Sequence, residues 1–282
     1  MQFVFLADFF VENGILGGGE LNNQECIKIL REKGYEIEEK NCFLIDLNFL
    51  KKNTFKKFII GNFLSLKQEC VDFITEKISY IIYEHDHKYL KSRDPSSYKN
   101  FLAPEDQLRY IEFYKNAKTV LCQSSLHMSI IEKNLKFDNL VNLGGNLWSL
   151  EILDYIEELS KTKKRNIFSI IDSINDIKNS YAAIKYCKIK EMQYELIKMM
   201  SYKDFLSHIS QNKGLIFFPK VVETLNRVIV EARMMNCEII TNAKLIGALS
   251  ENWFKFKGKD LINVMRKKRE EIPNKIINGF EL

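Results

Sequence analysis

Two glutamates eight positions apart, Glu223 and Glu231, stand in the stretch GLIFFPKVVETLNRVIVEARMMNCEIITN, residues 214–242. The apolar run 215–218 reads as a strand stopped by Pro219, and 238–240 reads as a second strand. Between them Leu225, Val228, Ile229, Ala232 and Met235 recur at helical spacing, which predicts a helix with one buried face. Strand, helix and strand in this length form a βαβ unit with parallel pairing. Thr224 is the expected N-cap, with Arg227 in the first turn. A helix start carries free N–H groups and partial positive charge, so it favours an anion such as phosphate. Arg227 there opposes the helix dipole but suits a bound diphosphate. At 1.5 Å per residue Glu231 lies roughly 9–10 Å along the axis from that start. The alternative is that both glutamates are surface residues.

Three other patches could do chemistry. Glu84–His85–Asp86–His87 follows the expected strand 79–83, and ligand sites of open α/β sheets lie at such C-terminal strand ends. His85 could donate a hydrogen bond or act as a general base. A metal site is the further alternative, but two histidines and an aspartate within three residues converge on one ion only through a contorted loop. Gly17–Gly18–Gly19 lies between a first strand, 3–6, and a helix over 20–33 closed by Gly34. Glycines there allow close approach of backbone to ligand. Gly14 and Gly19 have Walker A separation, but Glu20–Leu21 replaces its Lys–Ser/Thr, and no GxGxxG is present. Lys178 lies in a loop after the strand expected at 166–171.

The stretch FFPKVVETLNRVIVEARMMNCEIIT resembles the C-terminal signature of GT-B glycosyltransferases, above all retaining family 4: strand, Pro, loop, Glu, seven residues, Glu-Ala, turn, strand. Gly17–Gly18–Gly19–Glu20 resembles that family's GGxE opening, and His85–Asp86 its His-Asp after a central N-domain strand. The resemblance implies an α/β GT-B fold, two Rossmann-like domains with parallel sheets facing across a cleft. It implies catalytic roles for His85, Asp86 and Glu223. It implies donor binding by Gly18, Gly19, Lys178, Thr224, Leu225, Asn226, Arg227 and Glu231, with Glu223 on the donor sugar and Glu231 on the ribose hydroxyls. Where the family presents Gly-Arg and then Lys-Gly for the diphosphate, this chain has Ser173, Lys178 and Asn179, so one usual cation is missing. Gly144–Gly145–Asn146 stands where Pro-Asn-Gly is common.

The remaining elements must position these patches. Strands are expected at 35–39, 58–60, 119–122, 140–143 and 194–197. Helices are expected around 66–74 and over 105–117, 125–134, 150–161 and 202–211, with another ending near 188 and a helical tail from 260 to Pro273. Residues 88–103 read as an irregular acceptor loop or lid. His127 and His208 read as helix-face residues and Trp148 as an interdomain packing residue. The expected division is an acceptor domain at 1–150, a linker helix and basic linker at 151–165, a nucleotide-sugar domain at 166–258 and a tail at 259–282 that crosses back to the first domain.

With 282 residues, 46% hydrophobic and 28% charged, the chain has the composition of a globular protein of two domains. The six cysteines lack CxxC pairing and read as reduced core thiols. No apolar run approaches the ~20 residues of a membrane span, and the N-terminus reads as a strand rather than a signal. A cytoplasmic location follows, with peripheral contact at a membrane surface as a further expectation. The net charge of +5 suits anionic ligands.

The expected function is therefore transfer of a sugar from a UDP- or GDP-linked donor to a glycan, lipid-linked or protein acceptor. It proceeds with retention of configuration and without a metal or other cofactor, since the Asp-x-Asp motif of metal-dependent relatives is absent. A catalytically weak or inactive nucleotide-sugar-binding protein is the alternative. A dehydrogenase ranks lower: Glu38 or Glu39 could serve as its ribose-binding acid, but GxGxxG is missing. A DNA acceptor would be a variant of the leading reading, marked by salt-dependent binding.

Overall fold

In a computed structural model, which describes residues 2–11 and 17–281, the chain divides into two compact units. Met1–Trp148 with Lys268–Leu282 form the first, and Ser149–Lys267 the second. Asn13 and Gly14 of the first loop lie outside the described residues.

The first unit holds a parallel sheet of six strands: β1 Gln2–Ala7, β2 Glu36–Asn41, β3 Lys57–Ile60, β4 Ser79–Tyr83, β5 Val120–Cys122 and β6 Leu140–Asn142. Their order is β2-β1-β3-β4-β5-β6. The chain steps one way from β1 and then the other, so the switch point lies between β1 and β3. Alternation sets the two faces. Val4, Leu6, Phe58, Ile60, Tyr80 and Ile82 pack into one core, and Phe3, Phe5, Ile59, Ile81 and Tyr83 into the other. The helices α1 Gly18–Glu32, α2 Leu47–Lys52, α3 Gln68–Lys77, α4 Ile111–Asn116 and α5 Ser125–Leu135 complete the unit's βα connections.

The second unit has four parallel strands, β7 Arg165–Ile171, β8 Tyr194–Ile197, β9 Asn212–Phe217 and β10 Glu238–Thr241, in the order β10-β9-β7-β8. Its helices are α6 Leu150–Leu159, α7 Ser180–Ile189, α8 Tyr202–Ser210 and α9 Arg227–Met234. Here the switch point lies between β7 and β9. β9 begins earlier than the sequence suggests, since Asn212 pairs with Arg165 and Gly214 with Phe168 and Glu238, and position 214 is a glycine because Phe168 and the Glu238 carbonyl occupy the space a Cβ would need. The helix 150–159 belongs to this unit. Lys164, in the basic run after it, donates to the carbonyls of Ser210 and Met235, where α8 and α9 end.

Three expectations are corrected. The tail does not stop at Pro273: α10 runs Gly258–Asn278 with that proline inside it. Ile272, Ile276 and Phe280 on either side are buried in the first unit's core, and this packing outweighs the lost helix hydrogen bond. The helix expected at 105–117 begins only at Ile111. Before it, Tyr110 is left-handed at φ 57°, and Gln107 O and Arg109 N bond to residues 91 and 89 instead. The segment 88–103 is not wholly a surface loop, since Lys88, Tyr89 and Leu90 are fully buried at its start.

Candidate functional site

The second unit's switch point is built by the loops after β7 and β9. The first loop turns tightly. The Ser180 hydroxyl donates to Ile171 O, and Asn175 Oδ1 accepts from Ile177 N. Asn179 lies at φ 54°, a left-handed conformation that asparagine tolerates. This turn presents Lys178, whose Nζ donates to Glu223 Oε1 at 2.8 Å and stands 5.7 Å from the Phe217 ring centroid.

Glu223 is fixed from behind. Its N–H donates to Leu245 O and its carbonyl accepts from Gly247 N, each at 2.8 Å. Leu225 O accepts from Ala248 N at 3.0 Å. The loop after β9 is pinned to the first loop as well, through Lys220 N to Ile177 O at 2.9 Å. The Lys220 ammonium lies 2.6 and 2.7 Å from the two carboxylate oxygens of Asp176.

The helix beyond Glu223 starts later than expected. Asn226, not Thr224, is its N-cap: the Asn226 side chain accepts from Ile229 N at 2.9 Å while its backbone sits at φ 72°. Arg227 is thus the first helical residue. Thr224 and Leu225 are buried, so their side chains face the protein interior. Glu231 is buried too. Its Oε1 accepts from the Tyr202 hydroxyl at 2.6 Å and lies 3.7 Å from Arg227 Nε. Burial first, then Glu231, pushes the Tyr202 phenol far above its ordinary range.

The structure therefore brings Lys178 and Glu223 together, joins Arg227 to Glu231, and uses Asn226 to cap α9. Lys220 and Tyr202 were not singled out from the sequence. Lys220 follows the strand-ending proline and Tyr202 opens α8, and neither has a local signature.

In the first unit, α1 begins at Gly18, and a Cβ on Gly19 would lie 3.8 Å from the His85 ring. His85 Nε2 is 2.6 Å from Asn23 Oδ1, and Nδ1 contacts Gln123 Nε2. Burial, followed by Lys88 and His127, holds the His85 imidazole well below its usual pKa. Asp86 turns its carboxylate to Arg93, while its carbonyl meets His127 Nε2 at 2.8 Å. Among the described residues no three His, Cys, Asp or Glu side chains could hold a metal ion.

Beneath this loop lies a buried polar cluster. Glu84 is paired with Lys88 and accepts from the Tyr114 hydroxyl and from Asp86 N. Burial raises the Glu84 carboxyl against the opposing pull of Lys88. His87 is buried and drops to about 3 through desolvation and then Lys88. His127, on α5 as expected, is buried on that helix, with burial and His87 lowering it. Trp148 is buried, and its carbonyl accepts from Arg269. The six cysteines are free and buried, with their thiols raised by desolvation. No helix of the described residues is long and apolar enough to cross a membrane.

No protein-family model and no curated protein sequence matches the chain. Solved structures do match in fold. Alr3699/HepE from Anabaena, in complex with UDP and glucose, gives a TM-score of 0.54 at 13% identity, covering 100% of this chain and 95% of that one. A glycosyltransferase from Rickettsia africae gives 0.56 at 12% identity, covering 99% and 94%. The catalytic domain of starch synthase IV from Arabidopsis thaliana, bound to ADP and acarbose, gives 0.56 at 10% identity, covering 97% and 94%. At these identities the likeness is one of fold: the chain is α/β with two parallel sheets in Rossmann-like units, the GT-B class.

Proposed function

We propose that the protein is a nucleotide-sugar-dependent glycosyltransferase of the GT-B class, similar to family 4 in its Glu-x7-Glu stretch. The observation that carries this reading is the pairing of Lys178 with Glu223 at the second unit's switch point, where open α/β sheets bind ligands. The UDP bound to HepE and the ADP bound to starch synthase IV support a nucleoside diphosphate sugar as donor; UDP-, GDP- and ADP-linked sugars are the candidates.

On this reading the diphosphate draws Lys178 away from Glu223 and frees that carboxylate for a sugar hydroxyl. Lys220 supplies the second cation that the missing arginine would have given. Its partner Asp176 is largely exposed, and an exposed ion pair of this kind is worth little in stability, so the exchange costs little. The leaving diphosphate is then stabilised by Lys178, Lys220 and the N–H groups at the start of α9, without a metal. Glu231 acts in the site through Arg227. No carboxylate is assigned as nucleophile, which accords with retention by front-side attack. The acceptor, a glycan or a lipid-linked or protein group, is assigned to the first unit, and the location to the cytoplasm or a membrane surface.

A second reading, a nucleotide-sugar-binding protein of weak activity, is favoured by His85, both of whose ring nitrogens already have partners. A dehydrogenase is disfavoured because Glu38 pairs with Lys56 and Lys40, and Glu39 with Arg31. The test is release of nucleoside diphosphate from UDP-, GDP- and ADP-sugars, with and without oligosaccharide acceptors. Turnover that Glu223→Gln abolishes supports the transferase. Tight donor binding without turnover selects the second reading.

A further inference from the structure

His85 sits between two amides. An amide nitrogen only donates, so the contact of Gln123 Nε2 with His85 Nδ1 requires a lone pair on Nδ1. The ring proton of a neutral imidazole is then on Nε2, which faces Asn23 Oδ1 at 2.6 Å. With Gln123 donating to Nδ1, Asn23 presents its oxygen to Nε2; turning both amides over would instead place the ring proton on Nδ1.

The segments that carry the two amides are held by the rest of the first unit. Asn23 is buried on α1, and its neighbour Asn22 donates to the Tyr83 hydroxyl at 2.5 Å and accepts from Leu147 N at 2.8 Å. Gln123 directly follows β5; its N–H donates to His127 Nδ1 at 3.1 Å and its carbonyl accepts from Gly145 N at 2.9 Å. The Tyr83 ring packs 4.4 Å from the His85 ring, centroid to centroid. We infer that Asn23 and Gln123 are positioning residues that hold His85 as one neutral, Nε2-protonated tautomer, with its N–H engaged by Asn23 and its lone pair by Gln123, so that in the free protein it is not a general base.

The choice of amides matters chemically. A carboxylate at either position would stabilise the imidazolium, as carboxylate partners of histidine do. The charged and titratable groups around the ring include Asp86 and Lys88 on its own segment, His127 on α5 and the Tyr83 ring at the end of β4. Lys88 and His127 oppose protonation and Asp86 favours it. The lock is a property of the free protein; only the term positioning rests on the transferase reading.

The test is the ring 15N spectrum of the full chain labelled at its four histidines, with His85 assigned from His85→Gln. The wild type is expected to show a protonated Nε2 and a bare Nδ1, unchanged from about pH 8 to about pH 5.5, the window in which free histidine titrates. Asn23→Asp is expected to bring His85 protonation into that window, and Gln123→Leu to mix the tautomers. An Nδ1-protonated or titrating His85 in the wild type overturns the inference even if neither variant folds. An Asn23→Asp protein that folds and leaves His85 untitrated also overturns it. None of these readings needs a substrate, so failure of the donor assignment shows separately, as absence of nucleotide-sugar binding.

Discussion

Lys178 Nζ donates to Glu223 Oε1 at 2.8 Å, joining a turn after β7 to a loop after β9 across 45 residues of sequence. Each residue is the other's partner in the free protein, so a donor must replace both halves of the pair. Lys178→Ala should weaken nucleoside diphosphate binding roughly 10- to 100-fold, the equivalent of one charge-assisted hydrogen bond. Glu223→Gln should leave the nucleoside diphosphate bound and remove the added affinity of the sugar. Titration calorimetry with the diphosphate and its sugar conjugate reads both, and equal losses for the two ligands in both variants would refute the division of labour.

Lys220 gives an independent check on the missing arginine. Lys220→Ala should lower diphosphate affinity about 10-fold while shifting the unfolding midpoint little, because its pair with Asp176 is exposed. Asp176→Ala should do the opposite, releasing Lys220 and tightening binding. Unchanged affinity in both would remove Lys220 from the site.

For Glu231 the expectation is stability first. Its carboxylate is buried against Arg227 and Tyr202, and removing one partner of a buried pair costs on the order of 3–5 kcal/mol. Glu231→Ala should therefore lower the denaturation midpoint strongly, with Tyr202→Phe milder, by about 1 kcal/mol. Denaturant titration of both variants decides this; a Glu231→Ala protein of wild-type stability would show the carboxylate to be held for the ligand alone.

The buried histidines predict acid sensitivity. His85, His87 and His127 all have depressed folded-state values, His87 down to about 3. Their unfolded values lie near 6.5, so the unfolded state binds more protons between there and the folded values. The stability they contribute is complete above about pH 6.5 and is lost as the pH falls, by ~1.4 kcal/mol per pH unit for each histidine in that window. Glu84, raised by burial, acts in the opposite direction at lower pH. Unfolding midpoints from about pH 8 to about pH 5 should fall, and replacing His87 with asparagine should flatten the curve. A midpoint independent of pH would show these rings to be solvated.

The strands 79–83 and 194–197 were legible in the sequence to the residue, because apolar runs bounded by polar turns carry their own boundaries. The parallel order of both sheets followed from alternating strands and helices. Elements went astray where tertiary bonds outweighed local pattern: Tyr110 turns left-handed as its neighbours pair with residues 89–91, and α10 passes through Pro273 on the strength of core packing. Asn226 displaced Thr224 as a cap because the backbones of Glu223 and Leu225 on either side of Thr224 pair with residues 245–248, which delays the helix to Arg227. In the candidate site, Lys178 and Glu223 were found through a motif. Asn23 and Tyr202 were not, since their partners His85 and Glu231 lie 62 and 29 residues away and leave no periodic trace.

The most direct test of the donor site is the unfolding midpoint of the wild type and Lys178→Ala proteins with UDP-, GDP- and ADP-sugars, and with NAD(P)H as a control. A ligand that binds only the folded state raises the midpoint by mass action. One nucleotide-sugar class should stabilise the wild type, and Lys178→Ala should lose most of that shift. Stabilisation by NAD(P)H alone, or by no nucleotide sugar at all, would contradict the assignment.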